Sequence, residues 1–110
     1  MNLRFDRCAD AFRAGLSSMV EAQLKDLKDR ALADGEAFLA ACREQTILWT
    51  GQLANGEITT GDFNWNMKSL ADLAKMEFLR QAGLAEARRQ AFRQRLVALL
   101  TASALKMIDA

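Results

Sequence analysis

Cys8 and Cys42 carry the strongest nucleophiles in this 110-residue chain, and neither comes with the groups that would activate it. A thiol attacks as its thiolate, which needs a base, a cation or a metal nearby. The sequence contains no His and no Tyr, so a Cys–His dyad is impossible. Cys8 has Arg4 and Arg7 close in sequence, whereas Cys42 falls on an apolar stripe; both are expected to be reduced thiols of a cytoplasmic protein. Their spacing is not that of a CxxC pair, and without His a zinc site lacks its usual donors. The Glu-x-x-His pairs that hold two metal ions in helical bundles are equally ruled out. A carboxylate-only site would need several inward-facing acids, but the acids here alternate with Lys and Arg. Gly56 and Gly61 have neither the lysine nor the strand context of a phosphate loop. These absences lead to the expectation of a non-enzymatic protein with no catalytic residue, no metal and no cofactor.

Binding is the remaining chemistry, and two features could serve it. Residues 80–95 hold Arg80, Arg88, Arg89, Arg93 and Arg95 against Glu86 alone, five positive charges to one negative. On a helical wheel Arg80, Arg88 and Arg95 lie to one side of Phe92, and Arg89 and Arg93 to the other. A nucleic-acid groove wants its cations on one face, so nucleic acid is a lesser expectation than arginine stems lying over a core with their heads paired to acids. The second feature is Trp65, which with Trp49 brackets the loop and stands off the main stripe. Tryptophan there is either a recognition residue or the closure of the helix ends. Trp65, Arg88, Arg89 and Arg93 are therefore the candidate partner contacts.

What must position these residues is helix. The chain has no Pro and only six Gly, so few positions are forced to interrupt one. Apolar side chains recur at helical spacing from residue 10 to residue 54, including Leu24, Leu27, Phe38 and Trp49. Gly35 is the place where this segment could bend. Asn55-Gly56 then punctuates the chain, and Thr59 with Asp62 three residues on has the spacing of a capping box. Residues 55–60 are read as a loop, with a second helical segment at 61–109 carrying Phe63, Met67, Leu70, Phe78, Phe92, Leu96 and Leu99. A break at 82–84, around Gly83, is the alternative for that segment. Residues 1–9 are expected to be a flexible N-terminus.

The fold class implied is all-α: a single domain formed as an antiparallel hairpin of two long helices, continuous or broken. Each helix would run roughly 65 Å, too long for a compact monomer of this size. A second set of large apolar residues, among them Leu32, Leu39, Ile47, Leu48, Leu73, Met76, Leu79, Leu84, Val97 and Leu105, would stay uncovered in a hairpin. Pairing into a dimeric four-helix bundle would bury them. The charged N-terminus lacks a signal-peptide core, and no stretch approaches the roughly 20 apolar residues of a membrane span. With a net charge of +1, nothing draws the whole chain to nucleic acid or an anionic surface. The function expected is a helical interaction or assembly module, a homodimer with room for an unidentified protein partner. A lipid- or acyl-chain-binding amphipathic protein is the alternative, and nucleic-acid association through residues 80–95 a further one.

Overall fold

The fold is known from a computed structural model that describes residues 4–108. Residues 1–3 of the expected flexible N-terminus, and residue 109 of the second segment, lie outside the described residues. From Phe5 onward the chain is helical, because Cys8, Ala9 and Phe12 are already core residues. Among the described residues there is no strand. The helices are α1 (Phe5–Gln23), α2 (Lys28–Ala54), α3 (Thr60–Lys68), the single-turn α4 (Glu77–Gln81) and α5 (Glu86–Ala104). Short 3₁₀ turns occupy Lys25–Leu27, Ser69–Leu73 and Leu105–Met107.

Local chemistry accounts for several of the boundaries. At the end of α2, Gly56 takes φ 75°, and the N–H groups of Gly56 and Glu57 donate to the carbonyls of Leu53 and Gln52 at 3.1 and 2.8 Å. That is a Schellman closure, which needs a residue tolerant of positive φ. Gly83 repeats the device after α4 at φ 83°, with Gly83 and Leu84 N–H donating to Arg80 and Leu79 carbonyls. Thr59 opens α3 with both halves of a capping box: its Oγ1 accepts from Asp62 N–H at 3.0 Å, and its own N–H donates to Asp62 Oδ2 at 3.1 Å.

The segment expected to run as one helix from 10 to 54 is two helices. It breaks at Leu24 (φ −133°, ψ 36°), in a stretch with neither Gly nor Pro. An uninterrupted helix would leave the second apolar set uncovered within the chain, whereas the turn lets α1 fold back onto α2 and α5. Leu24 itself is buried at the turn, as are Phe12, Leu16 and Val20 of α1. The molecule accordingly measures 43 × 22 × 19 Å. Gly35 is no bend: it lies inside α2, where a Cβ would stand 2.5 Å from Leu16 Cδ2, so its lack of a side chain admits the leucine of α1.

One core joins all these helices. The Phe12 and Phe38 rings meet with centroids 6.4 Å apart, amid Leu16, Phe63, Met67, Leu70, Phe92, Leu96 and Leu100. Leu27, Trp49 and Leu99 of the expected stripe pack against it half-buried. Phe78 departs from the stripe: it is 44% exposed, while its neighbour Leu79 is fully buried. The cause is the break between Ala74 and Glu77, where Met76 adopts a left-handed conformation (φ 56°, ψ 35°) and resets the helical phase. Most of the second apolar set is also covered within the chain, Leu48 being the exception at 52% exposed. Leu39, Met76, Leu79, Leu84 and Val97 are buried, and Leu32, Ile47, Leu73 and Leu105 are half-buried against the core. The uncovered faces that called for a partner chain are therefore filled by α1 and α4.

Two hydroxyls in this core stand without partners. Thr46 and Thr50 are one turn apart on α2, completely buried, and neither Oγ1 makes a hydrogen bond. A buried hydroxyl without a partner keeps its desolvation cost. Thr46→Val and Thr50→Val should therefore each raise the unfolding free energy, by about 1 kcal/mol, in urea titrations.

Candidate interaction surface

Thiol chemistry is suppressed by the fold. Cys8 and Cys42 are both buried, and desolvation pushes each thiol from its ordinary 9.0 up to about 12. The folded protein should thus react with Ellman's reagent at pH 7.5 at least about a hundredfold more slowly than in urea. The raised values also set an alkaline limit. Below pH 9 the thiols are protonated in both states, whereas between pH 9 and about 12 the unfolded chain alone loses their protons, so stability falls as pH rises through that window. Among the described residues no three His, Cys, Asp or Glu side chains come together as a metal site.

One buried acid has a clear task. Asp34 sits on the inner face of α2 between Ala31 and Phe38, only 4% exposed. Its carboxylate accepts from Phe78 N–H at 3.0 Å and Leu79 N–H at 2.8 Å, the orphan donors of the first turn of α4. An acid from a distant helix supplies the cap that Met76, at the N-cap position, does not. Its place on the apolar stripe, three residues after Ala31 and four before Phe38, was the available signal in the sequence.

The arginines of residues 80–95 turn mostly to the backbone of their own chain. Arg88 Nη2 donates to the Gln23 carbonyl at the end of α1 at 3.2 Å. Arg89 donates to the Leu84 carbonyl, and Arg93 Nε to the Ala74 carbonyl at 3.0 Å. Arg80 pairs with Glu77 at 2.6 Å. The expected acid partners across the bundle are thus mostly replaced by carbonyls left open where helices and turns end. Arg88, Arg89 and Arg93 are held at three separate places and form no common cationic face.

Trp65 has a different setting. It is 76% exposed on α3, the opposite face of which is anchored by fully buried Phe63 and Met67. Asn64 and Lys68 stand between that buried face and Trp65, and they form one wall of an open groove of about 740 Å³. The floor and far wall are Ala71, Val97, Ala98, Ala102 and Leu105, with Gln94 and Thr101. Trp65 is not among the lining residues: it lies about 100° further around α3 than Asn64, on the solvent side of that wall. Another depression, of about 790 Å³, lies between the start of α1 and the end of α2, but charged and amide side chains such as Arg4, Asp6, Gln52 and Glu57 dominate it. Among the described residues Trp65, Leu48 and Phe78 are the large apolar side chains left exposed. Of these, Leu48 lines the depression between α1 and α2 with Phe5 and Ile47, and Trp65 stands on α3 next to the apolar groove without lining it. No helix among the described residues is long and apolar enough to cross a membrane. Comparisons of the chain with protein-family models, curated proteins and solved structures give no match.

Proposed function

We propose that this protein is a non-enzymatic helical interaction module whose contact surface is the groove between α3 and α5 together with the exposed Trp65 beside it. One observation carries the reading: a tryptophan held 76% exposed on a helix whose other face is locked into the core. Exposed tryptophan beside an apolar concavity is the usual composition of a binding hot spot. The core closes without Trp65, which removes the structural reason for placing an indole there. Two unpaired, buried thiols favour a reducing compartment, the cytoplasm, as the place of action.

The test is a photo-crosslinking residue introduced at position 65 of the intact chain in an extract of its source cells, with position 44 on α2 as an exposed control. Discrete adducts at position 65 and none at position 44 support the reading. An adduct of twice the chain mass makes the partner a second copy, the homodimeric form of the module; any other discrete mass makes it a different protein. Identical patterns at the two positions, or no adduct at either, would overturn it.

A further inference from the structure

The groove between α3 and α5 is apolar along its floor and positive along its edges, and this combination selects a class of partner. Lys68 is the one charged side chain among those lining it. Outside the lining, exposed Arg95 stands seven residues before Ala102 and therefore lies within about 20° of that lining residue around α5. Lys106 continues that edge just past the end of α5. From Ala87 to the last described residue there is no acid. Four ion pairs form among the described residues, and none involves Lys68, Arg95 or Lys106. Asp62 is engaged by Thr59 in the capping box, and Asp72 makes no ion pair with Lys68.

We infer that the groove receives an amphipathic helix with acidic flanks, an inference that rests on the proposed contact surface. From Gln94 to Leu105 the groove runs along about 17 Å of helix, roughly three turns, which suits apolar anchors at i, i+3 or i+4, and i+7. Ala71, Ala98 and Ala102 are small enough to let a third helix approach to the ordinary interaxial distance of about 8–10 Å. Apolar side chains of the incoming helix would cover that floor, with Trp65 on the adjoining exposed face of α3. Its flanking carboxylates would meet Lys68 on one edge and Arg95 and Lys106 on the other. A phosphate backbone could use the same cations but would leave the alanine and leucine floor uncovered, so a helix fits the whole surface better.

The experiment uses the full chain and two synthetic peptides of about 18 residues, long enough to form several turns. Both carry the same leucine stripe, one with glutamate flanks and one with lysine flanks, and a single-stranded oligonucleotide serves as a third probe. Binding is followed by tryptophan fluorescence, with a Trp49→Phe variant to isolate the Trp65 signal, and by amide shifts of α3 and α5. The expected result is at least a tenfold tighter Kd for the glutamate peptide than for the lysine peptide, weakening with salt, with the largest shifts at Lys68, Ala98 and Ala102. In the Lys68→Glu/Arg95→Glu variant the preference should reverse; both positions are exposed, and circular dichroism confirms the fold. Reversal is a readout that general destabilisation would not produce. Equal affinity for both peptides, binding of neither, shifts elsewhere on the surface, or tighter binding of the oligonucleotide would each overturn the inference. Position-65 adducts that persist beside any of these results leave the contact surface standing and remove only the acidic helix; their absence removes the surface itself.

Discussion

Asp34→Ala should lower the unfolding free energy by about 3 kcal/mol, a large share of the 5–15 kcal/mol typical of a small domain. The carboxylate receives two backbone N–H groups at 3.0 and 2.8 Å in a nearly water-free position. Hydrogen bonds to a charged acceptor each contribute about 1.5–3 kcal/mol, and alanine would leave both donors of α4 unsatisfied. The loss is bounded because α4, only five residues long, can fray instead of keeping buried orphans. Fraying has its own cost, since Leu79 and Met76 would leave the core. Asp34→Asn should fall between wild type and Asp34→Ala, because the amide keeps one acceptor but turns an NH₂ group toward the second donor. Urea titration measures the stabilities, and hydrogen exchange at Phe78 and Leu79 reports the local opening. An alanine variant within 0.5 kcal/mol of wild type would show that α4 is held by its apolar contacts alone.

Leu16→Ala should cost about 3 kcal/mol, and it should also reverse the sign of a second substitution on a different helix. Leu16 is 1% exposed, and its Cδ2, Cδ1 and Cγ stand 2.5, 2.7 and 3.2 Å from the place a Cβ on Gly35 would occupy. In the wild-type background Gly35→Ala gains about 1 kcal/mol of helix propensity but forces a buried leucine out of position, an overpacking cost of about 1–3 kcal/mol. Its net effect there should be destabilising by about 1 kcal/mol. With Leu16 truncated the obstruction is gone, and the same Gly35→Ala should stabilise by up to about 1 kcal/mol. The double-mutant cycle thus has an expected coupling of about 2 kcal/mol. Purely additive effects would mean that α1 does not lie on α2 within one chain.

The outcome of this cycle bears on how the apolar residues are shared out. A hairpin of two unbroken helices leaves Leu39, Leu79, Leu84 and Val97 without cover and therefore calls for a second molecule. In the structure they are buried by α1, α4 and the turns of the same chain. A second copy thereby loses its role as the completion of the core.

What the sequence by itself determined was the helical class and those boundaries made by local chemistry. The absence of Pro, the three-and-four spacing of apolar residues, Asn55-Gly56, and Thr59 with Asp62 all act through neighbours within one or two turns, and such signals are legible without knowing where the rest of the chain lies. Trp65 stood out for the same reason, as an indole off the stripe. The turn at Leu24 and the left-handed Met76 have no local signature; they exist because folding α1 back and resetting the phase of α4 bury more apolar surface in one chain than a continuous helix could. Phe78 was consequently assigned to the wrong side, and the partners of Arg88, Arg89 and Arg93 could not be foreseen, since open carbonyls appear only once the helix ends are placed. Asp34 and the α3–α5 groove belong to the same category. Each is made by residues more than twenty positions apart in sequence, brought together by packing that no periodicity encodes.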